Sequence, residues 1–187
     1  MKATPLALPE VLLLEPRVFR DDRGYFFEAW SSRTWEALGR SVSFVQDNTS
    51  VSKKGVLRGL HLQHPHDQGK LVTALTGRIW DVAVDLRVGS PRFGRWIAEE
   101  LSAENHRQLY VPPGFGHGFC TLSEEAVVSY KCTAHYEPKS ELSVRFDDPD
   151  LAIPWPIPEP LLSPKDGAAP RLDELVAAAR LPRFESS

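Results

Sequence analysis

The sequence predicts an all-β fold, a jelly-roll β-sandwich with N-terminal arm strands and short peripheral helices. Two observations carry this. Sixteen prolines and twelve glycines punctuate 187 residues, which suits many short strands better than a helical bundle. From Gly55 onward, apolar strand-like runs recur at short, regular intervals, each bounded by turn formers. At this length the chain fits one domain, 1–187, with an N-terminal arm over about 1–50, a core over about 51–150, and a C-terminal wrap and helix over 151–187. A domain of this size buries roughly two-thirds of its unfolded surface and needs no covalent staples.

In order, Leu12-Leu13-Leu14 followed by Val18-Phe19 reads as an opening strand, and Asp21-Asp22-Arg23-Gly24 as a turn. Tyr25-Phe26-Phe27-Glu28-Ala29-Trp30 is expected to form an aromatic strand carrying one carboxylate. Residues 31–39 have the serine start and glycine end of a short capped helix. Residues 44–50 begin apolar and turn strongly polar. The clearest strand is 79–86, where Trp80, Val82, Val84 and Leu86 share one face and Asp81, Ala83 and Asp85 the other. The runs 96–101, 108–111, 118–122, 126–133 and 142–146 continue the pattern. Proline-rich 154–160 is expected to wrap outside the sheets, and 171–180 to form an amphipathic helix.

Composition excludes several function classes. A net charge of −3 argues against a nucleic-acid partner. Residues 11–14 are far too short an apolar run to cross a bilayer, so no membrane association is expected. The segment after Met1 lacks the long apolar stretch and cleavage site of a signal peptide. With only Cys120 and Cys132, both in apolar contexts, the expectation is a cytoplasmic protein with reduced thiols.

The chemistry concentrates in Gly55-Val56-Leu57-Arg58-Gly59-Leu60-His61-Leu62-Gln63, with Lys70 shortly after. An imidazole stands between two cations in what otherwise reads as a buried strand. An isolated strand histidine is usually a satisfied core residue, but Pro112-Pro113-Gly114-Phe115-Gly116-His117 brings a second one in a Gly/Pro-rich turn. An anionic ligand with chemistry beside it would account for both. In a regular strand Arg58 and His61 point to opposite faces. To serve one site, Gly59 must mark a bulge or twist, or Arg58 must reach round.

The spacing of His64-Pro65-His66, position 70 and Gly77, followed by Pro112-x-Gly114-x-x-His117, resembles the two-part signature of the cupin superfamily. Metal-binding cupins carry an acidic ligand where this chain has Lys70, and an ammonium repels a divalent cation rather than ligating it. A site of three histidines, His64, His66 and His117, remains the rival reading. No metal and no cofactor is the expectation.

A more specific resemblance runs over about residues 17–172. It is carried by Asp22-Arg23-Gly24-x-Phe26-x-Glu28, Gln46-Asp47-Asn48, Leu57-Arg58-Gly59-Leu60-His61, Asp81-Val82-Ala83-Val84-Asp85-Leu86-Arg87, Leu101-Ser102-Ala103-Glu104-Asn105, His117-Gly118-Phe119, Tyr130-Lys131-x-Thr133, Asp147-Asp148-Pro149 and Leu162-Ser163-Pro164-Lys165-Asp166. On these motifs the chain resembles the dTDP-4-dehydrorhamnose 3,5-epimerases, metal-free cupins of nucleotide-sugar metabolism. The resemblance implies epimerisation of a dTDP-4-keto-6-deoxyhexose. It implies His61 as general base, Asp166 as the carboxylate that orients it, and Tyr130 as the acid on the opposite face. Arg23, Phe26, Glu28, Gln46, Asn48, Arg58, Lys70, His117, Glu141 and Lys165 fall at substrate-binding positions, and Tyr136 is implied to stack on thymine or sugar. A homodimer is also implied, with N-terminal strands crossing so that Arg23 and Glu28 serve the neighbouring site.

Physical chemistry supports such roles. A proton α to a ketone leaves only if the forming enolate oxygen is stabilised, and one well-aimed donor contributes about 3–4 kcal/mol. Lys70 and His117 are the candidates for that task. Histidine titrates near neutral pH, an aspartate fixes its tautomer, and guanidinium groups such as Arg58 and Arg23 match phosphate oxygens. Thr73, Thr49, His135 and the His64-Pro65-His66 loop depart from the usual pattern, which leaves inversion at C3, C5 or both open. A metal-dependent cupin and a non-catalytic nucleotide-sugar-binding module are the readings from other classes.

Overall fold

The computed structural model describes residues 1–185. The elements in chain order are β1 (Lys2–Pro5), β2 (Leu12–Glu15), β3 (Phe19–Asp21), β4 (Gly24–Phe26), α1 (Ser32–Ala37), β5 (Gln46–Lys53), β6 (Leu57–Gln63), β7 (Lys70–Thr76), β8 (Arg78–Asp85), β9 (Trp96–Ser102), β10 (Gln108–Val111), β11 (Phe115–Thr121), β12 (Glu125–Cys132), β13 (Glu141–Ser143), α2 (Pro164–Gly167) and α3 (Leu172–Ala177). A six-stranded sheet runs β1-β2-β10-β7-β12-β5, and a five-stranded sheet runs β13-β6-β11-β8-β9. They form the expected all-β sandwich, and β3–β4 is a separate two-stranded hairpin.

Period-two alternation sorts the side chains into three apolar layers. Leu13, Val72, Ala74, Leu109 and Val128 of the six-stranded sheet meet Ile79, Ala83, Ile97, Phe115 and Phe119 of the five-stranded sheet in the interior. The outer face of the five-stranded sheet, with Leu60, Leu62, Val82 and Val84, is covered by Leu151, Ile153, Leu172, Leu175 and Leu181 of the C-terminal wrap. The outer face of the other sheet, with Leu12, Leu14 and Leu71, lies under Trp35 of α1 and its neighbours Trp30 and Phe44. Strand β8 is therefore buried on both faces. Asp81 and Asp85, which alternation alone would send to solvent, point to the interior and are fully buried.

Two helices close by the same hydrogen-bonding motif. Ser31 caps α1 by accepting from the Thr34 amide, and Gly39 closes it at φ +73°. There the amides of Gly39 and Arg40 return to the carbonyls of Glu36 and Trp35. The expected helix over 171–180 is shorter: α3 stops at Ala177. Ala179 adopts φ +53°, and its amide and that of Arg180 bond back to Val176 and Leu175, the same closing motif without glycine.

The aromatic strand expected over 25–30 is also shorter, ending at Phe26. Beyond that point the rings leave the ladder for the body of the molecule. Phe27 lies 5.2 Å from the His106 ring and Trp30 meets Phe44 edge-on at 5.6 Å. Cys120 and Cys132 are buried free thiols.

Candidate active site

The site is built where β6 departs from regularity. His117 of β11 lies opposite His61, yet Phe119 lies opposite Arg58, so β6 carries one more residue than its neighbour across this interval. That bulge cancels the alternation that would have separated Arg58 from His61. Gly59, at φ +138°, makes it possible: a Cβ there would stand 2.5 Å from the Cα of Gly118. Arg58 consequently turns toward the other sheet, where its Nε donates to Ser52 Oγ at 3.0 Å and its Nη2 to the Val51 carbonyl at 3.2 Å.

His61 stands between two adjoining cavities. The first, about 280 Å³, is walled by His61, Leu62 and Gln63 from one sheet and by Gln46, Asn48, Lys70 and Tyr130 from the other, with Gln68, Tyr136 and Glu141 at its rim. The second, about 330 Å³, brings Arg58, Lys165 and Asp166 to the other side of the same imidazole, against Leu57 and Leu162. Seven expected site residues thus share the first cavity, and three more reach His61 through the second.

His61 Nε2 and Asp166 Oδ1 are 2.5 Å apart. Asp166 is held there by α2, a short helix capped by Ser163, whose Oγ accepts from the Asp166 amide at 3.1 Å. Burial pushes the Asp166 carboxyl up, but the His61 hydrogen bond and charge, the Ser163 bond and Lys165 together hold it below the usual carboxylate range. With Nε2 committed to a carboxylate, Nδ1 carries the free lone pair of His61.

Lys70 and Tyr130 lie on adjacent strands of the opposite wall, Tyr130 facing Val72 and Lys70 facing Cys132 across the ladder. Burial drives the Lys70 ammonium below the ordinary lysine value, opposed by Cys132, Asp81 and Glu141. Burial likewise raises the Tyr130 phenol, helped by Cys132 and Glu141 and opposed by Arg58, so it remains a proton donor throughout the neutral range. At the rim the Tyr136 hydroxyl donates to Glu141 Oε2 at 2.8 Å, and Glu141 Oε1 pairs with the Lys165 ammonium.

Four expected residues lie elsewhere. His117 does not line the cavity. It is buried behind it, its Nε2 2.8 Å from Asp81 Oδ1, while Asp81 Oδ2 has no hydrogen-bond partner among the described residues. Arg23 is exposed and bound to Asp21, Phe26 is 69% exposed, and Glu28 accepts from the Thr34 hydroxyl at 2.6 Å. These three sit on or beside the β3–β4 hairpin, whose own surface depression is separate from both cavities.

Gln63 and Gln68 are cavity residues that sequence reasoning missed. Gln63 follows His61 by two and so shares its face, a signal that was available. Gln68 lies in a loop and had none. The departures at Thr49 and Thr73 are harmless to the cavity. Thr73 lies on the outer face, receiving a hydrogen bond from Gln108 at 2.9 Å, and Thr49 is exposed.

The donor geometry does not favour the three-histidine reading. Among the described residues no three His, Cys, Asp or Glu side chains are grouped to hold a metal ion. His64 Nδ1 instead meets Asp67 Oδ1 at 2.8 Å, and His66 is exposed. No helix among the described residues is long and apolar enough to cross a membrane.

Comparison with known proteins agrees with the geometry. The family model for dTDP-4-dehydrorhamnose 3,5-epimerase matches residues 5–174. The enzyme of that name from Pseudomonas aeruginosa is 58% identical over 168 residues, 89% of this chain and 93% of the relative. That from Salmonella typhimurium is 56% identical over 171 residues, covering 90% of this chain and 93% of the relative. Among solved structures, a dTDP-6-deoxy-D-glucose-3,5-epimerase from Legionella pneumophila, crystallised with dTDP-4-keto-L-rhamnose, superposes with a TM-score of 0.95 at 48% identity, covering 99% of each chain. With a matched family model over most of its length and close relatives over nine-tenths of it, the chain belongs to the dTDP-4-dehydrorhamnose 3,5-epimerase family.

Proposed function

We propose that the chain inverts C3 and C5 of a dTDP-4-keto-6-deoxyhexose without a cofactor, as a dTDP-4-dehydrorhamnose 3,5-epimerase of deoxysugar biosynthesis. One observation carries the mechanism: His61 and Tyr130 face one cavity from opposite sheets, with Lys70 on the strand beside Tyr130. Inversion through an enolate needs that disposition, a base on one face of the sugar ring and an acid on the other.

His61 Nδ1 takes the proton α to the C4 ketone, and the electron pair moves onto the C4 oxygen. Asp166, already bonded to Nε2, steadies the imidazolium that forms. The Lys70 ammonium, desolvated and without a hydrogen-bond partner among the described residues, offers its charge to the enolate oxygen. Tyr130 then delivers its phenolic proton to the opposite face of the carbon, restoring the ketone, and solvent exchanges with His61 and Tyr130 between turnovers. Arg58, fixed by Ser52 and Val51, presents its remaining N–H groups to the diphosphate.

The working unit in this reading is a homodimer with exchanged N-terminal strands. Phe19, Tyr25 and Phe26 of the β3–β4 hairpin are 51%, 50% and 69% exposed, an apolar edge that invites a partner. Arg23 and Glu28 travel with it, away from their own chain's cavity and available to a neighbour's. Two buried free thiols suit a cytoplasmic site of action.

Proton NMR of dTDP-4-keto-6-deoxyglucose in D2O with the purified protein tests the reaction. The expected result is deuterium at both C3 and C5 with inverted product. Exchange at one carbon alone would make the chain a monoepimerase, and no exchange would refute the epimerase reading.

A further inference from the structure

Residues 134–137 leave the sheet after β12 and carry Tyr136 to the cavity rim. Around Tyr136 this loop has no backbone ladder to hold it, and side-chain amides take that place. Gln63, 5% exposed, donates from Nε2 to the His135 carbonyl at 3.1 Å and accepts the Glu137 amide on Oε1 at 2.9 Å. Its second Nε2 hydrogen goes to the His66 carbonyl at 2.6 Å. One planar amide thus grips the residues on either side of Tyr136, as a neighbouring strand's backbone would. Gln46 Oε1 accepts the Tyr136 amide itself at 2.9 Å, and Gln68 Nε2 donates to the Ala134 carbonyl at 2.7 Å.

We propose that Gln63 is a positioning residue for nucleotide-sugar binding: it fixes the Tyr136 ring as a wall of the site and ties that wall to the strand bearing His61. The inference rests on the functional reading above together with the stacking on thymine or sugar that the family resemblance implies for Tyr136. Gln63 is two residues from His61 on β6, so the same rigid strand sets both the base and the binding wall. The fit is specific to glutamine. Glutamate would set a carboxylate against two carbonyl oxygens, and an apolar side chain of equal length would leave all three loop groups without partners. Glutamine also does not titrate, so the wall holds its place across the pH range in which His61 works.

The test is a double-mutant cycle read as dTDP affinity by calorimetry and as KM and kcat for dTDP-4-keto-6-deoxyglucose. Gln63→Met is expected to weaken dTDP binding and raise KM by about tenfold, the worth of one or two hydrogen bonds, with kcat falling far less. Tyr136→Ala should do at least as much. The double variant should be no weaker than Tyr136→Ala alone, because Gln63 acts through that ring. Should the two losses multiply, Gln63 acts independently of Tyr136 and the proposal fails. It fails alone if Tyr136→Ala weakens binding and Gln63→Met does not. If Tyr136→Ala changes neither affinity nor KM, the ring's substrate role falls and the proposal with it. Gln63→Glu, which keeps the length and a polar end, supplies the comparison should Gln63→Met not fold, and it is expected to show the same KM-weighted loss.

Discussion

Replacing Asp166 by Asn removes one charge and one atom's identity while keeping the shape of the dyad. The loss can be worked from the geometry. In the proposed proton abstraction His61 would gain a positive charge with its Nε2 2.5 Å from Asp166 Oδ1. With charge centres roughly 4 Å apart and an effective dielectric of about 20, the carboxylate favours the imidazolium by at most ~4 kcal/mol. The His61 side chain is 27% exposed to the cavity while Asp166 is 4% exposed, so solvent screens part of this from one side. A transition-state loss of about 2–3 kcal/mol corresponds to roughly a hundredfold in rate. If the asparagine instead turns its amide nitrogen toward Nε2, the imidazole is forced into the wrong tautomer and the loss grows toward the ~10⁴-fold seen for that error in His-Asp pairs. The assay is the first-order rate of deuterium wash-in at C3 and C5, followed by proton NMR at saturating substrate. Asp166→Ala, which cannot impose a tautomer, separates the two cases. Exchange within about threefold of the unaltered protein in both variants would show that the dyad is structural, and the assignment of His61 as base would lose its support.

Lys70→Met keeps the stem and deletes the charge, and is expected to slow exchange by roughly 10²–10³-fold without lowering the melting temperature. Burial lowers the Lys70 value and raises that of Tyr130, so the cation is lost first as pH rises. The alkaline limb of kcat should therefore lie below the ordinary lysine value of about 10.4 and survive in Tyr130→Phe but not in Lys70→Met. Tyr130→Phe itself should still form the enolate and take up deuterium while losing inversion by about 10²–10⁴-fold, and inversion at the normal rate would move the acid elsewhere. For the shared site, mixing Arg23→Ala with His61→Asn protein after reversible dissociation should restore up to about a quarter of full activity, since only mixed dimers hold one complete site. No recovery from the two inactive parents would contradict strand exchange.

The legible parts of this molecule are those that local rules decide. Period-two alternation marked β8, and the Ser31 and Gly39 signals bounded α1, because both depend on neighbours along the chain. Alternation did not say that both outer faces are covered, so the inward burial of Asp81 and Asp85 was out of reach. Asp85 is accommodated by the Ser90 hydroxyl, which donates to it at 2.6 Å, and by Arg87, two positions along the chain, which also reaches Glu10 across the fold at 2.9 Å. The candidate site was legible chiefly through the resemblance. Nothing local links Asp166 to His61 across 105 positions; that distance is closed by α2 docking beside β6. His117 was expected at the substrate through the resemblance; in the structure it lies on β11, bonded to Asp81, and the glycine after it, Gly118, stands at the close approach of β11 to β6.

That approach explains why the chemistry sits where it does. A Cβ on Gly59 would come 2.5 Å from the Gly118 Cα, and one on Gly118 would come 2.9 Å from the Arg58 carbonyl. Neither strand can carry a side chain at the crossing, so Gly-His-Gly on β11 and Arg-Gly-Leu-His on β6 constrain one another. The bulge they permit places a guanidinium and an imidazole on one face of a strand that would otherwise divide them. It also leaves Leu60 and Leu62 on the outer face, under the C-terminal wrap that delivers Asp166. A side chain at Gly59 would thus disturb Arg58, His61 and the docking of Asp166 together, although Gly59 itself lines neither cavity. The unusual backbone is the means by which an ordinary sandwich strand brings Arg58 and His61 to one face, where α2 sets Asp166 against the imidazole.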